Sequence, residues 1–147
     1  MKFAKLPRSQ RNALNVYVKL MRATNRASAA IHQHLLADNL TQSQFGVLEA
    51  LYHLGPLSQG ELGQKILRSN ANLTTVVDSL EKKELVVRCR AESDRRRVEV
   101  RLTDAGENLI SKVFPRHAAQ VEQAFAVLSE AEQKQLGALL KKLGMGQ

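Results

Sequence analysis

The spacing of apolar residues changes abruptly from a helical period to a period of two, and this switch restricts the fold more than any other feature of the chain. Leu73, Val76, Val77 and Leu80 occupy positions i, i+3, i+4 and i+7, one face of a short helix. Soon afterwards Leu85, Val87 and Cys89 alternate with Val86, Arg88 and Arg90, and farther on Val98, Val100 and Leu102 alternate with Arg97, Glu99 and Arg101. This alternation predicts two antiparallel strands, with Cys89 filling the core on the same face as Leu85 and Val87. The segment from Ala91 to Arg96 between them is polar and densely charged, so it is expected to project into solvent as a hairpin tip.

Capping signatures place the remaining helices. No Gly or Pro occurs between Pro7 and Gly46. Two overlapping stripes run there: Leu14, Tyr17, Val18 and Met21, and then Leu20, Thr24, Ala27, Ile31 and Leu35. They predict a long first helix covered on more than one side. Thr41 with Gln44, and Ser58 with Glu61, read as capping boxes for a second and a third helix. Phe45, Leu48 and Leu51 face inward from the second, which Gly55-Pro56 ends. Leu57 can staple onto Leu62, and the third helix is expected to turn Leu62, Ile66 and Leu67 inward. After a very short turn at Arg68-Ser69, Ser69 is expected to cap a fourth helix starting at Asn70. Thr103 then caps a fifth helix, with Asp104 and Glu107 in its first turn and a kink expected at Pro115. Ile110, Phe114, Val121, Phe125 and Leu128 form its apolar stripe. Ser129 with Glu132 opens a last helix carrying Leu136, Leu139, Leu140 and Leu143, with Gly144 as its expected terminator.

Composition narrows the class of partner. With 147 residues, 44% hydrophobic and 24% charged, the chain is of one-domain size and able to build a core. Low aromatic content suits helix packing better than a β-sandwich. The formal charge of +8 calls for a polyanionic partner, because surplus Lys and Arg attract phosphates and release their counterions. No apolar run approaches the roughly 20 residues that span a bilayer, and the opening MKFAKLPRSQRN lacks the apolar core of a secretion signal. A cytoplasmic protein that makes no use of membranes is therefore expected.

Helix, helix, tight turn, helix, strand, charged loop, strand is the order of a winged helix-turn-helix. The polar face of the fourth helix would offer Ser69, Asn70, Asn72, Thr74 and Thr75, side chains short enough to let the backbone approach base edges. Asp94, Arg95, Arg96 and Arg97 would place guanidinium groups on a narrow projection suited to a minor groove. Asp94 is expected to hold Arg96 in one rotamer through a bidentate ion pair. Taken alone, each feature also fits an ordinary cap or a solvated turn.

The run from Asp94 to Gly106, D-R-R-R-V-E-V-R-L-T-D-A-G, resembles the wing of the multiple-antibiotic-resistance regulator (MarR) family and the start of the helix that follows it. Leu73-Thr74 and Leu80-Glu81-Lys82-Lys83 resemble that family's recognition helix, and Leu40-Thr41 with Gln44-Phe45 resembles the start of its second helix. The resemblance implies a mostly α fold with a small two-stranded β-wing, in one domain spanning 1–147. Residues 41–103 would form the winged helix-turn-helix, and 1–38 with 104–147 the dimerisation helices. It further implies a homodimer, to which Phe114, Phe125, Leu136, Leu140 and Leu143 would contribute apolar surface. Arg96 would enter the minor groove, Arg95 and Arg97 would touch phosphates, and the fourth helix would read the major groove of double-stranded DNA. The implied function is a sequence-specific regulator, a repressor at a pseudo-palindromic operator, released by a small aromatic or phenolic effector near His34 and Phe45. A non-specific DNA-compacting protein and a helical protein adaptor are the alternatives from other classes.

No enzyme and no cofactor are expected, since neither a Gly-rich phosphate loop nor a nucleophile-base arrangement is visible. No metal is expected either: His32 and His34, two apart on a helix, point in different directions, and His53 and His117 supply no ligand spacing. Lys2, Lys5, Arg8, Arg11, Lys19, Arg22 and Arg26 precede the first acidic residue, Asp38, and most of them read as a solvated face.

Overall fold

The computed structural model describes residues 2–66 and 72–146. They fall into two compact units, one from His34 to Ala118 and the other joining the chain up to Gln33 with that from Ala119 on.

The first unit is built on α2 (Gln42–Leu54), β1 (Leu57–Ser58), α3 (Gln59–Lys65), α4 (Leu73–Lys82), β2 (Val86–Arg90) and β3 (Val98–Leu102), and it takes in the start of α5 (Asp104–Phe125). Thr41 and Gln44 form the expected capping box, each bonding the other's backbone N–H. Gln44 also reaches across the core, donating from Nε2 to Ser79 Oγ of α4 at 2.8 Å. Phe45, Leu48 and Leu51 face inward as expected and meet Leu62, Val77 and Leu80 in one core. Leu57 lies in the same core as Leu62, where a staple would put it.

The sheet has three strands in the order β1-β3-β2, all antiparallel. The third is Leu57–Ser58, pairing with Val100 and Glu99. Two residues carry no readable period, so only the expected hairpin was visible in the sequence. The phase of β2 is opposite to that expected. Val86 is 2% exposed and Val87 43%, so the inward face is that of Val86 and Arg88, opposite Leu102 and Val100. Cys89 is thereby turned to the other face, opposite Glu99, and is half-buried rather than core filler. The reason lies in the turn before the strand. Leu85 N–H bonds Leu80 O at 3.0 Å and Glu84 N–H bonds Glu81 O at 2.9 Å, with Glu84 at φ 59. This Schellman turn buries Leu85 as a helix-end residue, outside the pleat of the strand.

Helix α4 starts at Leu73 with Asn72 as its cap, Oδ1 accepting from Thr74 N–H at 3.0 Å. Ser69, the expected cap, and Asn70, the expected first residue, lie outside the described residues, as do Leu67 and Arg68. Ser58 caps α3 by accepting from Glu61 N–H, while the Glu61 carboxylate pairs with Arg97. Thr103 Oγ1 accepts from Gly106 N–H at 3.1 Å at the head of α5. A Cβ on Gly106 would stand 2.0 Å from Leu85 O, so only glycine lets this turn of α5 lie against the backbone leading into β2.

In the second unit α1 (Arg8–His32) carries its two stripes differently: Leu14, Tyr17, Val18 and Met21 are exposed, whereas Ile31 is buried. The chain tightens at Gln33–Asp38 into 3-10 geometry, where Leu35 joins the core of the first unit. Asn39, at φ 55, ends that turn without a glycine, as Leu40 N–H returns to Leu35 O. Helix α5 continues past Pro115 to Phe125. Ser129 and Glu132 form the expected capping box of α6 (Glu130–Met145), which runs through Gly144 and stops at Gly146, φ 71. Gly144 costs helix stability but needs no left-handed backbone, so the terminator is the next glycine along. Among the described residues, no helix is long and apolar enough to cross a membrane.

Candidate nucleic-acid interface

Two protrusions carry the expected contact residues. On α4, Asn72, Thr74 and Thr75 are exposed, and on the β2-β3 loop so are Asp94, Arg95, Arg96 and Arg97. None of these is consumed by the core.

The loop owes its shape to Asp94. Its Oδ1 accepts from Arg96 N–H at 3.0 Å, and its carbonyl accepts from Arg97 N–H at 3.0 Å, closing a turn in which Asp94 braces the backbone. The ion pair expected with Arg96 is not bidentate: the one contact, from Arg96 Nε, is 3.6 Å, beyond hydrogen-bond range. A short carboxylate already bonded to the backbone two residues on has no geometry left for a forked pair. Arg96 therefore stands 95% exposed at the tip, its position set by the turn beneath it. Arg90 braces the same tip by donating to Arg95 O at 2.6 Å.

The first turn of α3 ties both protrusions together. Gln59 Nε2 donates to Thr74 Oγ1 at 2.6 Å, and Glu61 pairs with Arg97, which also approaches Glu99 at 3.5 Å. Arg88 of β2 stands behind Gln59, pairing with Asp78 at 2.8 Å and with Glu81 while its Nη2 faces Gln59 Oε1 at 3.5 Å. Gln59, Glu61 and Arg88 were not singled out from the sequence as parts of the interface. The signal available was faint: two polar residues at the head of a short helix and one arginine inside an otherwise apolar alternation.

His34 and Phe45 do come together, in an edge-on contact with ring centres 6.4 Å apart. His117 of α5 joins them, 4.5 Å from Phe45 and 5.7 Å from His34. Phe114 is half-buried and extends this ring cluster, 4.6 Å from His53 and 6.3 Å from His117. Arg116 pairs with Asp38 at 3.0 Å. Among the described residues, no three His, Cys, Asp or Glu side chains are grouped so as to hold a metal ion.

Comparison with known proteins agrees with this geometry. The sequence model of the MarR family matches residues 40–98, from the start of α2 to the start of β3. The HTH-type transcriptional regulator MhqR of Bacillus subtilis is 35% identical over 133 residues, covering 90% of this chain and 92% of its own. Among solved structures, Bordetella bronchiseptica BpsR, whose DNA binding is regulated by 6-hydroxynicotinic acid, superposes with a TM-score of 0.76 at 32% identity, covering 88% of this chain and 92% of its own. Streptomyces coelicolor PcaV, solved in complex with its natural ligand, gives 0.72 at 26% identity, covering 85% and 89%. With its winged helix-turn-helix in place and that likeness extending along nearly its whole length, the chain belongs to the MarR family of helix-turn-helix transcriptional regulators.

Proposed function

We propose that this chain works as a homodimer that binds a pseudo-palindromic operator in double-stranded DNA and represses transcription until a small aromatic or phenolic acid releases it. The observation that carries the reading is the shared anchoring of an exposed polar helix start and an arginine-tipped loop on the first turn of α3. Such a pair suits adjacent grooves, with Asn72, Thr74 and Thr75 toward base edges, Arg96 in the minor groove, and Arg95 toward phosphate. Ser69 and Asn70 complete the proposed reading segment. Arg97 serves mainly to hold the wing, since Glu61 and Glu99 already engage it. Two wings related by a dimer axis would read half-sites about one helical turn apart.

Dimerisation is supported by the apolar residues that α1 and α6 leave exposed, among them Tyr17, Met21, Leu139 and Leu143. Control by a ligand is supported by BpsR, whose DNA binding 6-hydroxynicotinic acid regulates, and by PcaV, which holds its natural ligand, and the ring cluster around His34, Phe45 and His117 is the proposed place for an aromatic effector. The experiment is a binding titration on the chain's own upstream DNA against a scrambled duplex, with and without a panel of aromatic acids. Arg96→Ala should weaken operator binding about tenfold with a nearly unchanged melting temperature, because the side chain is 95% exposed and its contact with Asp94 lies beyond hydrogen-bond range. Equal affinity for operator and scrambled DNA would overturn the reading.

A further inference from the structure

We infer that Gln59 sets the hydrogen-bond polarity of the reading face, so that Thr74 and Asn72 meet the operator as donors and each half-site carries a guanine beneath them. The inference rests on the DNA-binding reading above and names the base class that this face selects.

The argument starts at Arg88. A guanidinium only donates, so the amide of Gln59 must turn its Oε1 toward Arg88 Nη2, 3.5 Å away. That orientation is held from behind, because Asp78 and Glu81 fix the same guanidinium. The Gln59 Nε2 group therefore faces Thr74 and donates to its Oγ1 at 2.6 Å. Thr74 has one hydroxyl proton, and with its oxygen accepting from Gln59 that proton is directed elsewhere. Asn72 is oriented in the same sense by a different bond. Its Oδ1 accepts from Thr74 N–H in the helix cap, which leaves the Nδ2 group as the part of the amide that can face a partner. Both side chains are exposed.

Two adjacent donors suit an edge with two adjacent acceptors. In the major groove guanine presents N7 and O6, whereas adenine pairs an acceptor with a donor, thymine sets a methyl group beside its acceptor, and cytosine presents a donor. Gln59 is thus a positioning residue, acting on the base through Thr74, and Arg88 keeps it from flipping.

The test uses the full chain and the operator located by footprinting, with each guanine replaced in turn by 7-deazaguanine, which lacks the N7 acceptor. One guanine per half-site should cost the native protein about tenfold in affinity when replaced, the size expected for a lost directed bond. In Thr74→Val, which is isosteric and exposed, the same replacement should cost nothing further. Gln59→Glu makes this position an acceptor on both oxygens, so Thr74 must donate inward and accept outward. That variant should lose the guanine preference while its melting temperature changes little, and its new carboxylate should weaken binding of operator and scrambled DNA by a similar factor beyond that loss. If no 7-deazaguanine position matters, or if Thr74→Val keeps the full sensitivity, the inference fails while the regulator reading stands. If Gln59→Glu does not fold, the Thr74→Val comparison decides alone. Binding of operator and scrambled DNA with equal affinity would instead remove the regulator reading, and this inference with it.

Discussion

Inside the winged unit Phe45, Leu48, Leu62, Val77, Leu80 and Ile110 are shut away from solvent, whereas α1 and α6 leave Val16, Tyr17, Leu139 and Leu143 in water. Among the described residues α6 buries none. The two units are built from similar amphipathic helices, so the contrast lies in what covers them. One stabilises itself through contacts within a single chain; the other leaves apolar area uncovered, which the proposed dimer would bury. Stability and assembly should accordingly respond to different substitutions.

The sharpest way to break the first unit is Gly106→Ala. The new methyl would meet Leu85 O at 2.0 Å, and Leu85 cannot yield without disturbing the turn that sets β2. A loss of about 3 kcal/mol in denaturant unfolding is expected, at the high end for overpacking. A smaller effect, confined to assembly, is expected from Leu143→Glu, at a residue 62% exposed on α6. Analytical ultracentrifugation should show dimer association weakened about tenfold or more, toward monomer, with the winged unit still folded. A variant that remains fully dimeric would place the subunit contact elsewhere.

The mildest expectation concerns the cap of α6. Bonds from the Ser129 backbone N–H and side chain hold the Glu132 carboxyl below its ordinary pKa. A carboxyl lowered in the folded state stabilises it above the ordinary pKa, and this contribution fades as pH falls through the lowered value. Glu132→Gln keeps a capping partner without a titrating proton. Its melting temperature should therefore fall less than that of the native chain between neutral and acidic pH, and a parallel fall would rule the cap out as a contributor.

What could be read in the sequence follows the range of the interaction. The Thr41 and Ser129 capping boxes and the inward faces of α2 and α4 were legible because each rests on residues three or four apart. The start of α4 was misplaced because Ser69, Asn70 and Asn72 are all competent caps, and local chemistry alone does not choose among them. The phase of β2 was misread because Leu85 belongs to the helix end but extends the strand's alternation by one residue. His34 and Phe45 stand beside each other, and the His117 that joins them lies far along the chain and carries no local mark. The ties from Gln59 to Thr74 and from Glu61 to Arg97 join residues 15 and 36 apart and depend on which polar atom faces which. Asp94 was recognised as important to the loop, yet its partner proved to be backbone rather than guanidinium.

The pairing of Arg88 with Asp78 and Glu81 has a consequence for how such a protein behaves as ions accumulate around it. Attraction between a chain of net charge +8 and a duplex weakens steeply with added salt, because each released counterion gains less entropy as it enters a more concentrated solution. The contact between Arg88 and Glu81, both partly buried, is screened less. Crowding the solution with ions would thus loosen the grip on every DNA sequence, while the brace behind Gln59, and with it the proposed preference among sequences, survives.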